Sequence, residues 1–442
     1  MLTVLNRVNA FALAHKAAAA LITLASVSLV VTQFSYENLG YYYVFLSAIG
    51  LQILFEQGMG FTVLQVVSRE FAKSLNVDKD PDEQNKKLGL LRKICFWYVH
   101  MAGLYALFLG FIGTAYFYFF SDTQHQLLWL KPWMLLVVAQ SIWLMVMPLI
   151  LLREAQGYLE QAWVGKLVTD VGAFIVFAAC VSNRWGLLSL AMGTFSKIVF
   201  TLAYFLSKAE DRNLIARALK SKTSVEAYWQ ENVAIFQKKI SYSWLAGYTA
   251  HHSISLLLFS QFSLSIVGAF GASWQIIQGI SAVALIPVAS KIQYLAANEA
   301  NGRRSVNAKS YSKLFPSILA LAFLGHTLFL SVIWLLGTTA FGWQQKFLPF
   351  EQLVMLAAIS VAGVVITSQA IMVRSQLVEP YVRLSMADCL AHFVGIAVAI
   401  NLNRFEIVFM CLLVWQYALA LPWSWRIFSK HMHRTQEEGE RL

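Results

Sequence analysis

MLLVVAQSIWLMVMPLILL, from Met134 to Leu152, carries no charged side chain. At about 1.5 Å of helical rise per residue, about 20 such residues cross the roughly 30 Å hydrocarbon core of a bilayer. The stretch therefore reads as a membrane span. Ala17 to Val31 and Leu353 to Val373 are comparable runs. The 442-residue chain is 58% hydrophobic, 14% aromatic and only 13% charged, whereas soluble domains carry about 25% charged residues. No segment between the runs is large enough for a soluble domain. The expected fold class is an all-α polytopic membrane protein with about 12 transmembrane helices.

Spans are expected at about 11–32, 40–68, 94–120, 132–152, 163–181, 187–206, 240–259, 264–288, 315–337, 353–373, 384–402 and 405–425. Threading the chain back and forth puts about 29 of the 34 Lys and Arg on the side of the N-terminus. About 4 lie opposite (Lys131, Arg184, Lys346, Arg404), and Lys197 falls inside a span. Cytoplasmic loops concentrate Lys and Arg, so both termini are expected in the cytoplasm. The net charge of +11 follows from this asymmetry and calls for no nucleic-acid partner. The basic stretches 69–93 and 207–239 are broken by acids such as Glu70, Asp78, Glu210 and Asp211, and read as solvated faces against anionic membrane lipids. Arg7 and Lys16 precede the first apolar run, which lacks a small-residue cleavage pattern and reads as a span rather than a secretory signal. Cys95, Cys180, Cys389 and Cys411 lie in or at the ends of apolar runs, without CxxC spacing, and read as small apolar packers.

The second half of the chain echoes the first. Thr32-Gln33-Phe34-Ser35 with Gly40-Tyr41-Tyr42 returns as Ser260-Gln261-Phe262-Ser263 with Gly268-Ala269-Phe270 at one constant offset. Arg153, Gln156, Glu160, Trp163 and Asp170 return as Arg374, Gln376, Glu379, Tyr381 and Asp388, with three residues lost on the way. Both echoes fall at equivalent corners in the same order, which points to a duplicated six-helix unit. Residues 1–206 and 240–427 are the expected bundles, 207–239 the cytoplasmic connector and 428–442 a cytoplasmic tail. Repeat-built membrane proteins are typically transporters with the substrate site at the repeat interface.

No GxxxxGK[ST] phosphate loop is present, so transport is expected to draw on an ion gradient, with no cofactor. HExxH and GxSxG signatures are lacking as well. Outer loops of about 4 to 15 residues leave no room for the catalytic loop of a membrane-embedded glycosyl polymerase or ligase.

Function then rests on the few polar groups inside spans, where an unpaired charge costs several kcal/mol. Lys197, near the middle of its span, either holds an anionic group of a substrate or pairs with a carboxylate on a neighbouring helix. Lys166, Thr169, Asp170 and Ala173 share one helical face, either as an intrahelical ion pair of Lys166 with Asp170 or as a cavity lining. Asp388, on the equivalent face with Ser385, His392 and Gly395, has no lysine beside it and is a candidate proton or cation site. Gln52, Glu56 and Gly60 form a polar stripe in the second span, and the second half has no counterpart to Glu56. His251 and His252, with His326 in a later span, are candidates for proton relay or for ordinary interhelical hydrogen bonds.

Phe55-Glu56-Gln57-Gly58-Met59-Gly60-Phe61, leading to Ser68-Arg69-Glu70, resembles the acidic-x-glycine element with a following arginine in polysaccharide and O-antigen flippases of the Wzx type. These belong to the multidrug/oligosaccharidyl-lipid/polysaccharide (MOP) superfamily. The corner Arg153-Glu154-Ala155-Gln156-Gly157 and the stretch from Trp274 to Tyr294, with Pro287 and Lys291, look similar too. The resemblance implies two pseudo-symmetric six-helix bundles, like those of multidrug antiporters and lipid II flippases, in a V-shaped alternating-access transporter of the bacterial inner membrane. It implies an undecaprenyl-pyrophosphate-linked oligosaccharide as substrate, H+ or Na+ as coupling ion, and a polysaccharide polymerase and chain-length regulator as candidate partners. By motif the resemblance carries over only Glu56, Arg69 and Arg153. Together with the polar residues read above, the substrate-binding candidates are Lys197, Lys166, Arg69, Arg153 and Lys291, and the ion-coupling candidates Glu56, Asp170, Asp388 and His252. The arginine within the first helix of lipid II flippases is missing here. A multidrug or cation antiporter of the same superfamily is the alternative expectation.

Overall fold

The computed structural model describes residues 2–64, 67, 81–121, 126–235, 254–289, 304–337, 343–374 and 378–439, with 237, 238, 241, 242, 245, 291, 295 and 298 between them. Every regular element among them is a helix. Eleven helices are long and apolar enough to cross a membrane, as an all-α polytopic membrane protein requires. The expected span at 240–259 falls mostly outside the described residues.

Helix α1 runs Leu2–Gln33, α2 Tyr36–Gly50, α3 Gln52–Glu56, α4 Pro81–Leu107, α5 Gln126–Ala155, α6 Leu159–Ser182, α7 Leu188–Leu206 and α8 Ala209–Lys220. In the second half α9 spans Leu264–Ala284, α10 Arg304–Gly337, α11 Phe350–Arg374, α12 Val382–Leu402, α13 Glu406–Val414 and α14 Leu421–Gly439. Two spans carry one widened π turn each, Phe108–Gly113 after α4 and Trp415–Ala420 between α13 and α14. Helix α4 starts well before the expected apolar boundary. Its polar first turns remain good helix formers, with Asp82 and Glu83 beside the positive end of the helix dipole. The connector is helical too, and docks on the first bundle: Arg92 donates to the Ser221 carbonyl at 2.6 Å and Lys93 pairs with Glu226 at 2.6 Å.

The chain forms two compact units, one of Met1–Ala18 with Phe45–Thr249 and one of Ala19–Val44 with Ala250–Leu442. In the second unit, equivalent residues of the two repeats meet each other. A Cβ added to Gly268 would lie 3.1 Å from the Gly40 nitrogen, and one added to Gly271 would lie 2.1 Å from the Tyr43 ring. Both pairs sit 228 positions apart (40 and 268, 43 and 271), so residues matched by the duplication face one another as across a local two-fold axis. Small residues at such a crossing let helices approach closely inside a membrane, where hydrophobic burial gives no drive for association.

Candidate functional site

The second helix of each half is broken at the same place. The first half leaves the helix at Glu56, passes Gln57 and Gly58 at φ 48° and 71°, and resumes helical conformation at 59–64. In the second half α9 ends at Ala284, Leu285 is a turn, and the chain resumes over Ile286–Ala289 around Pro287. Gln57 and Leu285 are again 228 positions apart. One copy breaks through left-handed backbone and the other just before a proline, so the single span expected over 40–68 is interrupted at Gln57 and Gly58, with a further turn at Leu51 between α2 and α3. Interrupted helices at corresponding positions of two repeats mark binding regions in transporters, because the freed backbone groups and helix ends are available to ligands.

At the first break the Glu56 carboxylate takes the Gly60 backbone N–H, capping the helix that follows, and lies 3.5 Å from the Tyr98 hydroxyl. A carboxylate at a helix N-terminus is favourable by roughly 0.3–1 kcal/mol, more where partly buried. One turn earlier Gln52 accepts from Gln140 of α5 at 2.6 Å. The polar stripe of Gln52, Glu56 and Gly60 thus faces α4 and α5.

The second cluster of the first unit centres on Asp170 in α6. Its Oδ1 is 3.0 Å from Lys197 Nζ of α7, and its Oδ2 is 3.0 Å from His15 Nε2 of α1. Lys197 lies 4.5 Å from the centre of the Trp143 ring, a cation–π distance. About a third of the Lys197 side chain is exposed (34%), as is 28% of Asp170. Lys166 turns away from Asp170: it pairs with Glu154 at 2.6 Å and lies 4.3 Å over Trp163. The expected intrahelical Lys166–Asp170 pair is therefore replaced by two interhelical ones. With the lysine N-terminal to the acid, the i, i+4 pair would have the less favourable orientation on a helix, and each group instead meets an opposite charge on a neighbouring helix.

Arg153 is 4% exposed and committed to protein partners. It pairs with Asp211 of α8 at 2.9 Å, donates to Gln161 and stacks on Tyr158 at 4.0 Å. Burial pushes the Asp211 carboxyl up from its ordinary value, with Arg153 and Lys208 pulling it back. This knot fixes the connector to the inner corner between α5 and α6.

In the second unit Asp388 of α12 accepts from Trp415 Nε1 at 2.8 Å and Gln416 Nε2 at 2.9 Å, both from the π turn that follows α13. His392 Nδ1 lies 3.7 Å from its other oxygen. Lys291 is exposed just beyond the second break. Arg69 and His252 lie outside the described residues. Sequence reasoning missed His15, Trp143, Glu154, Trp163 and Tyr98, whose roles depend on which helices pack together. Glu154 and Trp163 stood in the corner and the echo quoted above without a role, and only the polar character of His15 pointed to it.

No protein-family model matches the chain, and no curated protein matches it by sequence. Solved structures share its fold along nearly its whole length. An inward-facing multidrug resistance MATE family transporter of the MOP superfamily is 11% identical, with a TM-score of 0.70 over 95% of this chain and 96% of that one. A MOP superfamily transporter from Pyrococcus furiosus, with a binding pocket of reverse polarity, is 12% identical, with a TM-score of 0.63 over 98% and 96%. The lipid II flippase MurJ in its inward closed conformation is 13% identical, with a TM-score of 0.60 over 97% and 90%. The chain has the multi-helix membrane fold shared by MATE transporters and MurJ.

Proposed function

We propose that this chain is a flippase that moves an undecaprenyl-pyrophosphate-linked oligosaccharide from the cytoplasmic to the periplasmic leaflet of a bacterial inner membrane by alternating access, driven by a proton or sodium gradient. The observation that carries this is Lys197, an ammonium deep in a span, partly exposed and held by Asp170 and the Trp143 face. A diphosphate needs such a cation. While Asp170 is ionised it competes with the substrate for Lys197; a proton or sodium ion on Asp170 removes the competitor and frees the ammonium. Binding of an anion and loading of a coupling cation then support each other, the linkage that secondary transport requires. The capped break at Glu56 supplies a second protonatable group, on a segment whose backbone is already interrupted.

A second function, export of cationic compounds, is favoured by Trp143 and Trp163, whose rings already lie against the cations of Lys197 and Lys166. There Asp170 would be the ligand and Lys197 its resident competitor. The two separate on Lys197→Ala. As a flippase the variant loses surface polysaccharide while Lys197→Arg keeps part of it; as a cation exporter Lys197→Ala keeps or gains export.

A further inference from the structure

At the end of the second unit poor in Lys and Arg, three chain corners enclose an open cavity of about 770 Å3. They are the start of α9, the segment leading into α11, and the turn between α12 and α13. The volume falls in the range of about 300–1,000 Å3 typical of small-molecule sites. From this cavity we infer an oligosaccharide-binding site on the periplasmic side of the protein, a deepening of the flippase proposal on which it rests.

The walls are built rigidly. Lys346 donates to the Val31 and Phe34 carbonyls at the C-terminal end of α1, both at 2.7 Å, and the Leu348 N–H donates to Ser273 at 3.1 Å, which pins the segment carrying Gln344 and Gln345. Gln345 accepts from Tyr36 at 3.2 Å at the exposed rim. Across the cavity Asn403 holds left-handed backbone at φ 50°, and the Phe405 ring is fixed between Phe262 at 5.6 Å and Phe409 at 5.1 Å.

The lining chemistry selects the ligand. Four carboxamides, Gln344, Gln345, Gln352 and Asn403, meet at one cavity with aromatic rings. A carboxamide offers a donor pair and an acceptor side by side, which matches neighbouring hydroxyls that each donate and accept. Gln352 lines the cavity, and its Oε1 is buried with no hydrogen-bond partner among the described residues, so rotation of the amide toward a ligand hydroxyl would satisfy an acceptor that the protein leaves unpaired. Arg404 is neutralised by Glu406 at 2.8 Å, so the cavity lacks the excess positive charge that a diphosphate needs and the free carboxylate that a cationic drug needs. Phe262, Ile266, Phe347, Leu348 and Phe405 stand among the carboxamides, so the lining suits a ligand that presents both hydroxyls and apolar CH faces rather than a plain hydrocarbon chain. An uncharged polyhydroxylated group, with CH faces against Phe405 and Phe262, is what remains. The glycan of a lipid-linked cargo and a sugar of the cell surface share this chemistry.

The test uses full-length protein in lipid nanodiscs and two probes: the repeat-unit oligosaccharide released by mild acid from the host's lipid-linked intermediates, and the host's delipidated lipopolysaccharide core oligosaccharide. Saturable binding of either, weakened at least tenfold by Gln352→Ala and by Asn403→Gly in variants that melt like the parent, supports the site. The probe that binds identifies the source of the sugar. No binding of either probe, or binding unchanged in both variants, overturns it. Failure of the flippase proposal shows separately, as intact surface polysaccharide in a deletion strain, and leaves this binding measurement decisive for the cavity.

Discussion

Asp170 and Lys197 meet at 3.0 Å between adjacent helices, and the residues 218 positions further on, Asp388 and Trp415 (170 to 388, 197 to 415), meet in the same way at 2.8 Å. The duplication has kept the carboxylate and exchanged its partner, an ammonium in one copy and an indole N–H in the other. The same offset relates a second contact. A Cβ on Gly193 would lie 3.2 Å from Phe177, and one on Gly395 would lie 3.3 Å from Cys411, so the glycine sits on the later helix in one copy and on the earlier helix in the other. One copy therefore holds a carboxylate–ammonium pair, and its counterpart a carboxylate that accepts from an indole and an amide; the cation-coupled anion binding proposed above draws on the first copy.

The Asp170–Lys197 pair predicts strong energetic coupling. Lys197→Met alone leaves Asp170 with His15, and Asp170→Leu alone leaves Lys197 with Trp143. Each is expected to lower stability in detergent by about 1–3 kcal/mol, while the double variant loses clearly less than the sum, a coupling of about 0.5–3 kcal/mol. Thermal melting of the four proteins measures it, and strict additivity would mean that the two groups do not interact.

Gly271 predicts a steric lesion. A methyl group there would meet the Tyr43 ring at 2.1 Å, too close for any rotamer to relieve. Gly271→Ala should lower stability by about 1–3 kcal/mol, and adding Tyr43→Ala should restore part of it. A melt unchanged in the single variant would contradict the crossing of α2 and α9 described above.

The break after Glu56 separates backbone from charge. Gly58→Ala should cost about 1–2 kcal/mol, the penalty of a side chain in left-handed backbone. Glu56→Gln, which keeps an acceptor for the Gly60 N–H, should fold like the parent and lose transport if this carboxyl exchanges ions. Full transport by a well-expressed Glu56→Gln protein would remove Glu56 from coupling.

The buried pair of Arg153 with Asp211 predicts dependence on both partners and on pH. Arg153→Met should destabilise by about 3–5 kcal/mol, because it removes the 2.9 Å partner of the buried Asp211 carboxylate. The Asp211 carboxyl titrates above its unfolded value. The folded protein therefore takes up the proton first as pH falls, and this group's contribution to stability declines as pH rises through that window. Melting curves between about pH 4 and 7 should accordingly change less with pH in Asp211→Asn than in the parent.

The membrane class and most of the spans were legible in sequence, because hydrocarbon demands long uncharged helices. Glu56, Asp170, Lys197 and Asp388 stood out since charge inside a span is costly. Their partners did not. Lys166 pairs with Glu154 rather than with Asp170, and Asp170 with His15, because tertiary packing chooses between neighbours that helical spacing treats alike. The break in the second span was hidden as well: Gln57 is an ordinary residue in unusual backbone, and only Gly58 marked it.

The central claim, transport of a lipid-linked oligosaccharide, is tested most directly by deleting the gene and locating the repeat unit. The flippase account predicts loss of the surface polysaccharide, with undecaprenyl-pyrophosphate-linked repeat units accumulating on the cytoplasmic leaflet, and rescue by the intact gene but not by Lys197→Ala. A deletion strain that keeps its surface glycan and becomes sensitive to cationic dyes would contradict it.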